Sequence, residues 1–286
     1  MAGETHHLTT IDPLSLCVTP VTMLFNDTVL SDATGFFFYG VVESKPTLWL
    51  VSNWHVFSGR HIEPPNAALA KTGSIPNRVK FQVLKLLPNS VAEVWEQFAD
   101  LYEKDGRAIW FQHPLKSEID IGVLNCGDLL SEFAVNGIKA KANQYSMKIE
   151  IGDDVFVLGY PLGFTHFMST PIWKRGTIAS EPHWETPSSK HRIVIDATTR
   201  AGMSGSPVVL RQKTHYVSMT GEVVKHVNAS RILGVYSSRP NFKGALPSLI
   251  DDMHDQRSEL GYVYKSGLIE QVIKDGGRGP DYGVLP

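Results

Sequence analysis

The sequence predicts an all-β fold, on three observations. Short apolar, β-branched and aromatic runs recur at 35–42, 48–52, 79–84, 119–124, 155–159, 192–196, 207–210 and 231–237. Gly, Pro, Asn and Asp punctuate them, and these are the residues that reverse a chain between strands. No helical pattern separates one run from the next each time, which argues against a doubly wound α/β sheet and for antiparallel barrels or sandwiches.

Two segments read as helices. Val91, Val94, Trp95, Phe98, Leu101 and Tyr102 recur at helical spacing, and Ser90 with Glu93 makes a capping box ahead of them, so a helix is predicted over about 90–104. Near the end, Leu268, Ile269, Val272 and Ile273 form a second stripe, opened by Ser266 and stopped by Gly276-Gly277. The stretch from about 140 to 152 reads as a crossing between two halves, and the chain from Gly276 to Pro286 as a loose tail.

Composition sets the limits. A chain of 286 residues, 42% hydrophobic and 20% charged, has an ordinary globular balance. A chain of this length buries roughly 75% of its unfolded surface and needs no metal or cross-link to hold a core. Lys+Arg 27 against Asp+Glu 29 leaves a formal charge of −2, which removes the electrostatic motive for nucleic acid or an anionic membrane as main partner. Cys17 and Cys126 can form at most one bridge and read as two buried thiols of a reducing compartment. The N-terminus shows neither the basic nor the apolar region of a signal peptide, and no run approaches the length of a membrane span. The expectation is a cytoplasmic, soluble protein.

The strongest local signal is Thr199-Arg200-Ala201-Gly202-Met203-Ser204-Gly205-Ser206-Pro207-Val208-Val209. A serine between glycines, followed by Ser-Pro and a β-branched run, is a tight turn entering a strand. Acyl transfer needs such a turn, with the nucleophile exposed and neighbouring amides converging on a developing oxyanion. The N–H groups of Gly202 and Ser204 are the natural donors. A serine hydroxyl needs a base. Of eleven histidines, His55 in Val51-Ser52-Asn53-Trp54-His55-Val56-Phe57 follows an apolar strand that can aim it. None of the eleven forms a zinc-binding pattern, and no metal or organic cofactor is implied. The third member is a carboxylate that fixes the imidazole tautomer. Asp120, between Ile119 and Ile121, is costly to bury without a partner and is the better candidate; Glu118 is the alternative.

His55 in Asn-Trp-His-Val, Asp120 in Asp-Ile-Gly-Val-Leu and Ser204 in Gly-Met-Ser-Gly-Ser-Pro, in that order, resemble the chymotrypsin-fold serine peptidases. Within them the closer likeness is to the bacterial HtrA-like and glutamyl-endopeptidase-like branches. Supporting matches run from Gly35-Phe36-Phe37 through Gly159-Tyr160-Pro161-Leu162-Gly163, Arg175-Gly176-Thr177 and Asp196-Ala197 to Ile232-Leu233-Gly234-Val235. The resemblance implies two six-stranded antiparallel β-barrels forming one peptidase unit over 1–286. The N-terminal barrel, about 20–139, would carry His55 and Asp120, with the helix as an insertion. The C-terminal barrel, about 150–265, would carry Ser204, and a helix and tail, about 266–286, would follow. The residues after the second barrel are too few for a PDZ domain. Gly-Met-Ser replaces the common Gly-Asn-Ser, a side-chain change at a position used mainly for its backbone.

The resemblance also implies a specificity pocket with Thr198 at its floor, Tyr236 and Ser237 on the lining strand and Arg239 near its rim, where it either favours an acidic group, is solvated or narrows the entrance. Thr198 supplies no carboxylate for a Lys or Arg side chain, and Tyr236 stands where glutamate-specific relatives carry histidine. Small or medium uncharged side chains are expected. The implied activity is a serine endopeptidase acting on peptide or protein substrates, against the alternative of a catalytically silent binding or sensor module. An α/β-hydrolase is excluded, because Gly-Met-Ser-Gly-Ser lacks its final glycine and the acid and base do not follow the serine in separable positions.

Overall fold

Each run read as a strand overlaps one. The computed structural model describes residues 11–62, 67–86, 92–133, 135–139, 147–184, 191–226, 228–238 and 259–282. The first half contains β1 (Val18–Phe25), β2 (Thr28–Val42), β3 (Lys45–Ser52), β4 (Arg78–Leu86), β5 (Ala92–Asp100), β6 (Trp110–Gln112), β7 (Gly122–Asn125) and β8 (Ile138–Lys139). The second contains β9 (Asp154–Gly159), β10 (Ile172–Ile178), β11 (Arg192–Ala197), β12 (Pro207–Gln212), β13 (His215–Val217), β14 (Val223–Lys225), β15 (Ala229–Tyr236) and β16 (Leu260–Lys265). A helix, Gly267–Asp275, and a short strand, β17 (Gly277–Arg278), follow.

The second half closes as expected into a six-stranded barrel, β10-β11-β16-β15-β12-β9, all antiparallel. The first half differs. Among the described residues it is a nine-stranded sheet in the order β17-β6-β7-β3-β2-β1-β4-β5, with β8 parallel beside β2. No ladder joins β5 to β6. The chain between them is drawn together by a Tyr102–Ala108 bridge and by Ile109 N–H donating to Leu101 O at 3.0 Å.

Three apolar clusters explain why so many strands read as unbroken apolar runs. Val21, Phe37, Leu50, Val79, Phe81, Trp110 and Leu124 fill the inside of the first sheet. Val155, Val157, Ile193, Ile195, Val208, Leu210 and Val263 fill the second barrel. Between the halves, Phe36, Phe38, Val51 and Ile121 pack with Leu158, Tyr160, Val235 and Tyr264, and with Leu268, Ile269 and Val272 of the C-terminal helix. Strands β2 and β3 are therefore buried on both faces, so alternation vanishes. Strand β4 shows the contrast: Val79, Phe81 and Val83 point inward and Lys80 and Gln82 outward.

Two expectations are corrected. The segment read as a capped helix over about 90–104 is strand β5, paired with β4 from Arg78↔Asp100 to Leu86↔Ala92; Ser90 and Val91 lie outside the described residues. Its apolar residues are not a buried helical stripe. Val94, Trp95 and Phe98 stay exposed, Trp95 edge-on to Phe133 and Phe98 under the Arg78 guanidinium, with Lys80 and Glu96 bridging β4 to β5 at 2.9 Å. Val, Trp and Phe suit a strand as well as they suit a helix, and the long β4 partner decides. The chain after the helix is not loose through Tyr282. Strand β17 pairs with β6, Gly279 N–H donates to Trp110 O at 2.9 Å, and Tyr282 N–H to Gly106 O at 2.7 Å.

Cys17 and Cys126 are both buried and unbridged, and burial pushes each thiol up to about 12. No helix among the described residues is long and apolar enough to cross a membrane.

Candidate active site

Strand β3 ends at Ser52, and a single helical turn, Trp54–Ser58, starts immediately after Asn53. Trp54, Val56 and Phe57 are buried in the first core, which pins the turn and leaves His55 facing outward, its side chain 16% exposed. The histidine is thus carried by a short helix packed on the sheet rather than by the strand end itself. Across from it, Asp120 lies just before β7 and is wholly buried.

Asp120 is held from both sides. His55 backbone N–H donates to Oδ1 at 3.0 Å and His55 Nδ1 meets Oδ2 at 2.8 Å. A carboxylate only accepts, so Nδ1 carries a proton, and in the neutral ring Nε2 keeps its lone pair. Ser237 Oγ donates to Oδ2 at 2.5 Å. Asn53 Nδ2 holds the Asp120 main-chain carbonyl at 2.8 Å. Glu118, the alternative carboxylate, sits exposed on the turn Lys116–Glu118 and offers only its main-chain carbonyl, to Tyr264 Oη at 3.2 Å. Of the two carboxylates, Asp120 is the one hydrogen-bonded to His55.

Ser204 lies on the loop between β11 and β12. Its Oγ donates to the Ser237 carbonyl at 3.1 Å, not to His55. Ser237 therefore touches both parts, Asp120 through its hydroxyl and Ser204 through its carbonyl. That brings the imidazole–carboxylate pair of the first sheet and the serine of the second barrel into one place. Met203, beside the serine, is fully buried in the second core and anchors the loop.

The loop's amides sort into two groups. Met203 N–H donates to Arg200 O at 3.2 Å, Gly205 N–H to Tyr236 O at 2.9 Å and Ser206 N–H to Met203 O at 3.1 Å. The N–H groups of Gly202 and Ser204 have no acceptor among the described residues. Both expected donors are open. The turn needs its glycines: Gly202 has φ +90°, where a Cβ would strike the Tyr160 carbonyl, and Gly205 has φ +87°, where it would strike the Thr34 carbonyl and Ser52 Oγ.

The residues expected to line a specificity pocket stand as follows. Thr198 is exposed, and it is the next residue, Thr199, that is buried, its Oγ1 2.6 Å from Tyr236 Oη. Tyr236 is buried against Gly261, where a Cβ would come 2.5 Å from the ring. Ser237 faces Asp120 and Ser204 rather than standing only as pocket wall, and Arg239 lies outside the described residues. Sequence reasoning did not find Ser237's contacts; a count of the acceptors on a buried carboxylate, which need more donors than one imidazole, was the available signal. Beside His55, His61 is held below the ordinary histidine range by burial first and by His55 second. Among the described residues no three His, Cys, Asp or Glu side chains cluster as a metal site would require.

Residues 33–217 match the family described as trypsin-like peptidase domain. No curated protein sequence matches the chain. Among solved structures, the active form of the Rv3671c protease from M. tuberculosis overlaps with a TM-score of 0.45 at 15% identity, covering 94% of this chain and 85% of that one. The serine endoprotease from Yersinia pestis overlaps at 0.46 and 14% identity, covering 91% of this chain and 62% of that one. The HtrA-type protease AlgW with tripeptide overlaps at 0.45 and 14% identity, covering 91% and 60% respectively.

Proposed function

The chain belongs to the trypsin-like peptidase domain family, and from that membership we propose that it is a serine endopeptidase working through Ser204, His55 and Asp120. The observation that carries this reading is the double contact of Ser237, which sets the Asp120–His55 pair beside the Ser204 loop.

In the resting arrangement the Ser204 hydroxyl points to the Ser237 carbonyl; the reaction requires it to turn to His55 Nε2 by rotation about its Cα–Cβ bond. Ser204 Oγ then attacks the scissile carbonyl as its proton passes to Nε2, and the carbonyl electron pair moves onto oxygen. The open N–H groups of Gly202 and Ser204 stabilise that oxyanion, each worth roughly 3–4 kcal/mol by comparison with other oxyanion holes. As the C–N bond breaks, Nε2–H passes its proton to the leaving amine, leaving an acyl-enzyme on Ser204. Water repeats the sequence, its proton going to Nε2 and then to Ser204 Oγ as the acid departs. Asp120 holds Nδ1–H and stabilises the imidazolium at each proton transfer.

The substrates are proposed to be peptides or proteins cleaved after small or medium uncharged side chains. Thr198, the residue expected at the pocket floor, supports this by supplying no carboxylate for a basic side chain. A second reading, a binding or sensor module without turnover, is favoured by the Ser204 hydroxyl being engaged by Ser237 instead of His55.

Incubation with an unfolded protein substrate separates the two. Cleavage that disappears in Ser204→Ala supports the peptidase; saturable binding without cleavage, unchanged in Ser204→Ala, supports the module.

A further inference from the structure

One residue of the first sheet holds the Ser204 loop. Thr34, on β2 and fully buried, commits every polar group it has. Its N–H donates to Ser204 O at 2.8 Å, and its hydroxyl donates to Gly202 O at 2.7 Å. The same hydroxyl accepts Tyr160 N–H at 3.1 Å, and the Thr34 carbonyl accepts Ser52 Oγ–H at 2.7 Å.

Peptide planarity turns these bonds into a statement about the open amides. In a trans peptide the C=O and N–H point to opposite sides. Anchoring Gly202 O on Thr34 sends Met203 N–H away, to Arg200 O. Anchoring Ser204 O sends Gly205 N–H away, to Tyr236 O. The peptides 202–203 and 204–205 are thereby fixed on either side of the 203–204 peptide, which carries the open Ser204 N–H. The 201–202 peptide, which carries the open Gly202 N–H, is fixed from its other end, because Leu162 N–H donates to Ala201 O at 2.6 Å. Leu162 stands two residues after Tyr160, whose own N–H rests on the Thr34 hydroxyl. The bonds to Gly202 O and from Tyr160 N–H meet on the Thr34 hydroxyl oxygen, while Ser204 O is held by the Thr34 N–H.

We propose that Thr34 is a positioning residue for the oxyanion donors, through which the first sheet sets the directions of the Gly202 and Ser204 amides. This rests on the peptidase reading. Thr34 touches no reacting atom; its effect is confined to the state in which negative charge has formed on the carbonyl oxygen, so it acts on kcat and leaves ground-state substrate affinity alone.

The test uses Thr34→Val, which keeps shape and β-branching but removes the hydroxyl, beside Thr34→Ser, which keeps it, and Thr34→Cys, a weaker donor and acceptor. Removing an oxyanion donor outright costs 10²–10³, so misdirecting one should lower kcat about 10- to 100-fold in Thr34→Val with KM within about threefold of wild type. Thr34→Cys should fall between, and Thr34→Ser should recover most of the rate. A peptide boronate should lose affinity in parallel with kcat, while a non-hydrolysable substrate peptide keeps its affinity. Should Thr34→Val fail to fold, Thr34→Cys carries the comparison. Wild-type kcat in Thr34→Cys or Thr34→Val, or a Thr34→Ser as impaired as Thr34→Val, would overturn the proposal. An inactive wild-type protein would instead defeat the peptidase reading.

Discussion

Asp120→Asn is the sharpest perturbation of the site, because the geometry around Asp120 leaves the amide no neutral solution. Oδ1 accepts the His55 backbone N–H, and Oδ2 accepts both His55 Nδ1–H and the Ser237 hydroxyl. Asparagine has one oxygen and one NH₂ for these two positions. With the oxygen kept toward the backbone N–H, the NH₂ faces His55 Nδ1 and forces that nitrogen to accept. The ring proton then moves to Nε2, and the base loses the lone pair it needs for Ser204. With the amide flipped, the NH₂ confronts the backbone N–H of His55, a donor against a donor in a fully buried site, which costs ~1–3 kcal/mol. The first arrangement wins, so the fold survives and the chemistry does not. The expected loss in kcat is about 10⁴, or ~5.6 kcal/mol at 1.4 kcal/mol per decade, with the melting temperature changed by only a few degrees. Steady-state hydrolysis of a fluorogenic peptide near neutral pH, read beside thermal unfolding, measures both. An Asp120→Asn enzyme within tenfold of wild type would refute the tautomer argument and with it the role assigned to Asp120.

Other substitutions probe the remaining parts. Ser204→Ala and His55→Ala should each reduce kcat to a similar residual level, and the double variant should add little, since cooperating groups overlap within a total of ~10⁴–10⁶; losses that multiply would contradict the assignment. Glu118→Gln should leave kcat/KM nearly unchanged, because that side chain is exposed and off the site. Ser237→Ala removes one donor from a buried carboxylate and should destabilise the fold by about 1.5–3 kcal/mol in a denaturant titration, as charge-assisted hydrogen bonds do; no change in stability would mean that bond is not made in solution. Gly205→Ala sets a Cβ against the Thr34 carbonyl at φ +87° and should abolish activity together with a clear fall in melting temperature. His61 is held below 6.5, so in that acid window the unfolded chain binds more protons and stability falls as pH drops; His61→Gln should flatten the slope of melting temperature against pH below 6.5.

The site was more legible than the scaffold. His55, Asp120 and Ser204 sit in local patterns that turn chemistry writes directly: a glycine-flanked serine, a histidine after an apolar strand, a carboxylate too costly to bury alone. What had no local pattern stayed hidden. Thr34 lies just before one run read as a strand and Ser237 at the end of another, with nothing in the sequence to mark them, and their contacts join positions 168 and 117 residues apart. Thr198 is exposed and Thr199 buried, because neighbouring side chains at a strand end face opposite ways. Strand β5 was misread because its apolar spacing also fits a helix, and only pairing with β4 resolves it. The tail behaved likewise: Gly277 and Arg278 carry no strand signal, and β6 recruits them through backbone hydrogen bonds. Strands β1, with Pro20 and three polar or half-buried positions, and β13 and β14, short and exposed, gave too little apolar pattern to stand out.

Ser204 is proposed as a nucleophile made reactive by His55 and Asp120 beside open amides. A fluorophosphonate probe tests it without any assumption about substrate, because it phosphonylates a serine only where base and oxyanion donors are assembled. Intact-mass and peptide mapping of the labelled protein should show a single adduct on Ser204, absent in Ser204→Ala and strongly slowed in His55→Ala. A folded wild-type protein that takes up no label, or one labelled on another residue, would contradict it.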